Sequence, residues 1–257
     1  MSKFINRLKR VSQGAPQLMG FRLAESAQDE PKILLVASLA QADIEDLTDY
    51  VAGADAGLLS IPELPSGTKT LQGLSQAIPD VPWGYRLENV SQEKIKQVVN
   101  AGCDFVVFPA ARTSLAIPQD DELGKILEVE MSLSEGLLRT VDELPVDALL
   151  ITEEPGKDYF LTWHHLMILR HFADLLTKPL LVSVPAKVTA SELQVLWEAG
   201  MDGVIVEAGV GQPKQRLKKL RKAIDKLTFS SRHEQRKAGA LLPHIGEERV
   251  IPAEEEE

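Results

Sequence analysis

Eight short aliphatic runs punctuate the chain, and what lies between them limits the fold. They are ILLVAS (33–38), GLLSIP (57–62), WGYRLE (83–88), FVVFPA (105–110), ILEVEM (126–131), ALLITE (148–153), LLVSVP (180–185) and GVIVEA (203–208). Each has the length of a strand and is rich in β-branched or large aliphatic residues. Most of the intervening segments place apolar residues at helical spacing: LAQADIEDLTDYVA (39–52), SQEKIKQVVNAG (91–102), SLSEGLLRTVDEL (132–144), TASELQVLWEAG (189–200) and QPKQRLKKLRKAIDKL (212–227). Ser132 with Glu135, and Thr189 with Glu192, have the spacing of capping boxes. Alternating strands and helices imply right-handed βαβ units and a parallel sheet.

A repeat at double that period sharpens the reading. GADAGLLSIPE (53–63), GCDFVVFPAA (102–111), PVDALLITEE (145–154) and GMDGVIVEAG (200–209) all bring a turn and an aspartate to the start of a strand. Asp55, Asp104, Asp147 and Asp202 thus open the second, fourth, sixth and eighth strands, and the repeating unit is a βαβα quarter of a barrel. Gly102 and Gly200 stand where a helix ends in a left-handed residue. At the N-terminal ends of the strands, these aspartates belong to the face that stabilises a barrel rather than the one that catalyses. No strand is followed by the glycine-rich turn of a dinucleotide-binding fold. The expected fold is α/β, a (β/α)8 TIM barrel over 33–227, preceded by an N-terminal helix and arm (1–32) and followed by a low-order acidic tail (228–257).

Composition narrows the function. Of 257 residues, 44% are hydrophobic but only 5% aromatic, so the core must be mainly aliphatic. With 28 basic against 38 acidic residues, the net charge of −10 argues against a surface that coats nucleic acid. The single cysteine, Cys103, excludes an internal disulfide and cysteine-rich metal modules. No apolar run approaches the roughly 18 residues of a membrane span. The N-terminus, MSKFINRLKRVSQ, lacks the apolar stretch of a secretory signal, so a cytoplasmic protein is expected.

The two ends carry their own signals. SKFINRLKRV (2–11) reads as a basic amphipathic helix with Phe4, Ile5, Leu8 and Val11 on one side. It would either lie on a membrane or partner, or close the barrel bottom or pack on a second subunit; a homo-oligomer is therefore among the expected states. SSRHEQRKAGALLPHIGEERVIPAEEEE (230–257) has the mixed charge of a segment with low intrinsic order. Its LLPHI patch could dock on the barrel or a partner.

Sites in such barrels lie at the C-terminal ends of the strands, and alternation decides which side chains face the lumen. If Tyr85 and Leu87 face the helices, Arg86 and Glu88 turn inward. Leu127, Val129 and Met131 outside leave Glu128 and Glu130 inside; Leu149 and Ile151 outside leave Thr152 and Glu154 inside. Val204 and Val206 outside leave Ile205 and Glu207 inside. Ser38, Ser60 and Ser183 finish the first, second and seventh strands. The upper lumen then gathers Glu88, Glu128, Glu130, Glu154 and Glu207 around one arginine, Arg86. So many carboxylates in a confined space need a cation or protons. Three solutions follow: an ion-pair network of Arg86 with Glu128 and Glu130, a bound divalent ion, or protonated glutamates doing acid–base work.

WGYRLENVSQEKIKQVVNAGCDFVVFPAARTSLA, KILEVEMSLSEGLLRTVDELPVDALLITEE and AGMDGVIVEAGVGQPKQRLKKLRKAI together resemble the barrel strands and helices of the metal-dependent class II pyruvate aldolases. The resemblance implies a lyase acting on a small acidic, 2-oxo acid-like ligand. Arg86 would contact its carboxylate and carbonyl oxygen, and Glu130 would bind the metal. Mg²⁺ or Mn²⁺ suits oxygen ligands. The family's histidine base after the second strand has no counterpart in SIPELPSG, where Glu63 is the titratable group. For its second metal ligand, an aspartate, TEEPGKD offers Glu153 or Glu154.

The residues expected to act are thus Arg86, Glu128 and Glu207 in catalysis, Arg86, Ser183 and Lys187 in substrate binding, and Glu130 and Glu154 as metal ligands. Lys187, after the seventh strand, could also be a Schiff-base lysine. His164 and His165 are adjacent on a helix, face different directions and cannot chelate together. GVGQP after the eighth strand is only loosely a phosphate-binding turn. The competing reading is a catalytically inactive barrel that binds or scaffolds through its helical arm and tail.

Overall fold

A computed structural model describes residues 2–13, 31–39, 51–61, 64–87, 92–113, 115, 123–152, 160–185, 187–208 and 215–227. Within them the chain forms helix α1 (Lys3–Gln13), then β1 (Leu34–Leu39), β2 (Ala56–Leu59), α2 (Leu64–Ala77), β3 (Trp83–Arg86), α3 (Gln92–Asn100) and β4 (Phe105–Pro109). It continues with β5 (Gly124–Glu130), α4 (Glu135–Val141), β6 (Ala148–Thr152), α5 (Trp163–Leu175), β7 (Leu180–Val184), α6 (Ala190–Glu198), β8 (Gly203–Glu207) and α7 (Arg216–Asp225). All eight strands pair in parallel in sequence order, and β8 closes on β1 from Leu34↔Gly203 to Ser38↔Glu207. This is the expected (β/α)8 barrel. Most of the helix expected over 39–52, the arm beyond Gln13 and the tail (228–257) lie outside the described residues, as do Glu63, Glu88, Glu153 and Glu154.

Period-two alternation divides the apolar residues into two cores. One lies between sheet and helices, where Leu35, Leu59, Tyr85, Val106, Leu149, Val182 and Val204 meet Ile95, Val98, Leu138, Leu169, Phe172, Leu193 and Ile224. The other fills the lumen with Leu34, Val36, Leu58, Phe105, Val107, Ile126, Leu150, Leu181 and Ile205. Tyr85, Leu87, Leu127, Val129, Val204 and Val206 all belong to the outer core, which is the register expected from the sequence.

Helix α1 completes the inner core. Phe4, Ile5 and Leu8 are buried among the lumen residues, and the Phe4 ring stacks on Phe105 at 4.6 Å between centroids. The apolar face of α1 is therefore spent inside the barrel: of the two readings of this segment, the one that closes the barrel bottom is met, and the helix free to lie on a membrane or partner is not. Gly124 makes room for it: a Cβ there would stand 2.5 Å from Ile5 Cγ1 and 2.9 Å from Ser2 Oγ.

The repeated aspartates hold this plug. Asp104 caps α1 from about a hundred residues away, accepting from Ser2 Oγ (2.7 Å) and from the amides of Lys3 (2.7 Å) and Phe4 (2.9 Å). Asp55 accepts from Arg7 Nη2 (2.9 Å), Arg221 Nη2 (2.6 Å) and the Leu35 amide (2.8 Å). Asp147 accepts from Lys9 Nζ and the Lys125 amide, and Asp202 from the Leu180 amide. Asp55, Asp147 and Asp202 thus join neighbouring strands, and Asp55, Asp104 and Asp147 fasten α1.

Local signals had mixed success. Gly102 and Gly200 adopt the expected positive φ, at 91° and 101°. Thr189 and Glu192 form both halves of a capping box. Ser132 and Glu135 do not: α4 starts with Ser134 at its N-cap, and Ser132 Oγ instead donates to Glu130 Oε2 at 3.2 Å. Helix α2 was not among the helices read from the sequence, because its Ser, Gly and Thr residues (LPSGTKTLQGLSQA) dilute the apolar period.

Candidate functional site at the barrel mouth

Above the apolar lumen, alternation sets a polar layer. Ser38, Arg86, Glu128, Thr152, Ser183 and Glu207 come from six of the eight strands, Ser60 directly follows β2, and Pro109 fills the place on β4. The layer is uneven. Across β3, β5 and β6, Arg86 grips Glu128 with two donors: Nε reaches Oε2 at 2.9 Å, and Nη2 bonds Oε1. Thr152 Oγ1 donates to the same Oε1 at 3.1 Å. The Glu128 side chain is 12% exposed, against 37% for Arg86. A covered carboxylate is thus held by three donors while the guanidinium stays open to the mouth. Bidentate geometry fixes the guanidinium plane. Among the described residues, the hydrogen bonds of the guanidinium use Nε and Nη2 and leave Nη1 without a partner.

The opposite side, β7–β8–β1–β2, carries small hydroxyls. Ser38 Oγ and Ser60 Oγ lie 3.5 Å apart, and Ser183 is half-buried. Glu207 pairs in register with Ser38 and ends β8 exposed at the rim.

Of the residues expected to act, Arg86, Glu128, Ser183 and Glu207 share this layer. Glu130 is one pleat higher, exposed, and bonded to Ser132 rather than Arg86; the expected network of Arg86 with both glutamates is reduced to Glu128. Lys187 is exposed in the turn after β7. Glu88 and Glu154 lie outside the described residues. Among the described residues, no three His, Cys, Asp or Glu side chains converge as a metal site.

Thr152 was read as facing inward but given no role, although it orients the carboxylate. Its position two residues beyond Leu150 on the lumen face was the available signal. Other polar groups serve the framework. His165 is buried and makes a capping box with Thr162: the His165 amide donates to Thr162 Oγ1, and the Thr162 amide donates to His165 Nδ1. Tyr85 Oη donates to the Ile61 carbonyl at 2.6 Å, and burial pushes its pKa up. Burial also pushes the Cys103 thiol up, and its Sγ donates to the Phe105 carbonyl. No helix among the described residues is long and apolar enough to cross a membrane.

No protein-family model and no curated protein matches the chain. Solved structures do. A variant tryptophan synthase alpha-subunit from the hyperthermophile Pyrococcus furiosus superposes with a TM-score of 0.59 at 11% identity, covering 76% of this chain and 97% of that one. A native KDPGal structure gives 0.54 at 17% identity, covering 82% and 98%. A protein from Aquifex aeolicus VF5 gives 0.55 at 12% identity, covering 77% and 92%. At such identities the likeness is one of fold, the closed (β/α)8 barrel.

Proposed function

We propose that the chain is an aldolase-type barrel enzyme that takes a small acidic, 2-oxo acid-like substrate at the C-terminal mouth. One observation carries the reading: Arg86 is held bidentately by the covered Glu128 while remaining partly exposed in the polar layer. A cation fixed in the mouth and open on one edge suits a carboxylate with an adjacent carbonyl. In aldol cleavage of a 4-hydroxy-2-oxo acid, the C3–C4 bond breaks and its electron pair passes into an enolate. The proton of the 4-hydroxyl goes to a base. Arg86 would stabilise the enolate oxygen as charge develops there. Glu128, already bonded three times, positions Arg86. Glu207, exposed at the rim, is the carboxylate available as the base. Ser183 and Lys187 are the further substrate contacts in this reading.

For a divalent ion, the described residues supply only Glu130 as a carboxylate donor beside this layer, with Glu154 as the expected second. One donor does not make a site, so no step is routed through a metal. Mg²⁺ or Mn²⁺ enters the proposal as a testable addition. The inactive-scaffold reading loses its arm, since Phe4, Ile5 and Leu8 are inside the barrel.

The test is calorimetric titration of the full chain with pyruvate and 2-oxobutyrate, alongside a coupled assay for release of pyruvate from 4-hydroxy-2-oxo acids. Binding that disappears in Arg86→Ala is expected. Absence of binding to the wild type, with and without millimolar Mg²⁺ or Mn²⁺, would overturn the reading. The ion itself is checked by melting: a ligand at 100 times its Kd adds about 2.7 kcal/mol, and Glu130→Gln should erase that shift.

A further inference from the structure

Helix α5 departs from the usual surface of a barrel helix. Outward positions on α3 are Glu93, Lys94, Lys96 and Gln97, and those on α7 include Lys218, Lys219 and Lys222, all exposed. On α5, by contrast, Trp163 is 80% exposed and Met167 is 69% exposed. They are four residues apart and so share one face. Phe160, just before the helix, is 67% exposed, and Leu137 in the first turn of α4 is 56% exposed. Helices α4 and α5 are neighbours around the barrel, and both begin at its mouth end. The inward side of α5 is meanwhile fully used, with His165, Leu169 and Phe172 buried. Among the described residues, the packing of the barrel thus leaves these four side chains uncovered.

We propose that this α4–α5 face is the contact between two copies of the chain, forming a two-fold dimer centred on Trp163. Three arguments select a second copy as the occupant. The first is size. Aromatic side chains present about 150–250 Å² each, so the four residues expose on the order of 500 Å² of apolar surface. That is at the upper end of the largest patch a lone monomer shows, roughly 300–600 Å². A standard interface buries roughly 800 Å² per partner, so a patch of this size would form the apolar centre of one.

The second argument is composition. Trp, Phe and Met are the residues enriched at interface centres, and Trp is the type most often dominant in binding energy.

Charge supplies the third. A two-fold interface brings a patch against itself, so its border must be self-complementary. The chain carries a net charge of −10, which sets copies against one another over most approaches. Beside this patch each helix carries an ion pair of both signs: Arg139 bonds Glu135 at 2.7 Å on α4, and Arg170 bonds Asp174 at 2.9 Å on α5. The hydrogen bond and charge of Arg139 hold the Glu135 carboxyl below its ordinary pKa. An anionic membrane would call for a basic rim, which these pairs do not provide.

The experiment is sedimentation equilibrium of the full chain from 1 to 200 µM, with parallel variants Trp163→Glu and Met167→Glu. Both side chains are solvent-exposed in the monomer, so the variants should keep the wild-type far-UV spectrum and melting profile when dilute. The wild type is expected to approach twice 28.3 kDa, and each glutamate to raise the dimer Kd at least 30-fold, because two like charges meet across the axis. Tryptophan emission gives a second readout. Trp83 and Trp197 are buried, so acrylamide quenching reports mainly Trp163 and should fall with concentration in the wild type. A wild type that remains at 28.3 kDa up to 200 µM overturns the proposal. So does a dimer whose mass neither variant changes, and so does Trp163-dependent sedimentation with phosphatidylserine vesicles by a chain that stays monomeric.

Discussion

The two ends of the barrel are held together by different kinds of bond. At the bottom, the bonds that tie α1 and α7 to the strand ends are non-local: Ser2 to Asp104 spans 102 residues, Lys9 to Asp147 spans 138, and Arg221 to Asp55 spans 166. They fasten a helix whose apolar side chains fill the lumen. At the mouth, Arg86 to Glu128 spans 42 residues, Thr152 to Glu128 spans 24, and the Thr189–Glu192 cap spans three. The α1 plug at the bottom is therefore fastened only when distant strands have come together, while the mouth is arranged from nearby strands and single turns. A barrel built this way concentrates its stability at one end and leaves side chains at the other free to be chosen for chemistry.

The largest test of that division is Phe4→Ala. Phe4 is fully buried and stacked on Phe105, so truncation removes a core aromatic and leaves a cavity in the plug. A loss of about 3–5 kcal/mol is expected in urea or thermal unfolding. A loss below 1 kcal/mol would show that α1 merely rests on the barrel, and the contrast between the two ends would fail.

Asp55→Asn probes the same end through polarity. Its carboxylate is nearly covered and serves Arg221, Arg7 and the Leu35 amide at once. Removing the charge leaves Arg221, itself 17% exposed, without its buried partner, and about 3 kcal/mol should be lost. Asp104→Asn, which keeps an amide oxygen for the α1 cap, should cost about 1 kcal/mol.

Arg86→Ala brings the comparison to the mouth. Were the Arg86–Glu128 pair fully buried, breaking it would cost about 3–5 kcal/mol. The guanidinium is 37% exposed, so water screens the pair and can reach the carboxylate left behind. A loss of about 1 kcal/mol is expected, with any 2-oxo acid binding abolished. A loss as large as that of Asp55→Asn would mean the mouth is structural as well, and would favour a lumen-filling ion pair over a site.

The sequence carried the bottom and the mouth to different depths. Closure of the barrel was legible because eight apolar runs with alternating orientation have few other ways to bury both faces. The same alternation placed Arg86 and Glu128 inward, since Tyr85, Leu87, Leu127 and Val129 had to meet the helices. What alternation could not supply was height. Glu130 shares the face of Glu128, yet it stands above the layer in which Arg86 can reach it, because each pleat on one side advances about 6.6 Å along the strand. The grip of the aspartates on α1 was half visible. Their repeat was plain, and so were Arg7 and Lys9 on the helix, but only the closed barrel brings residues a hundred positions apart into contact.

The smallest expected effect separates two capping boxes that look alike in sequence. Thr189 Oγ1 accepts from the Glu192 amide at 3.3 Å, and Glu192 Oε2 accepts from the Thr189 amide at 2.7 Å. Ser132 has the same spacing to Glu135 but sits two residues before the actual N-cap, Ser134, and its hydroxyl goes to Glu130. Thr189→Ala should therefore cost about 1 kcal/mol, whereas Ser132→Ala, removing one exposed hydrogen bond, should stay within about 0.5 kcal/mol. Chemical denaturation of both variants at one pH measures the difference. If order at the mouth is supplied turn by turn, the two losses should add in the double variant, since neither cap shares a partner with the other. Coupling above about 0.5 kcal/mol would show that the mouth is a cooperative unit like the bottom, and that its bonds, though local in sequence, are not independent.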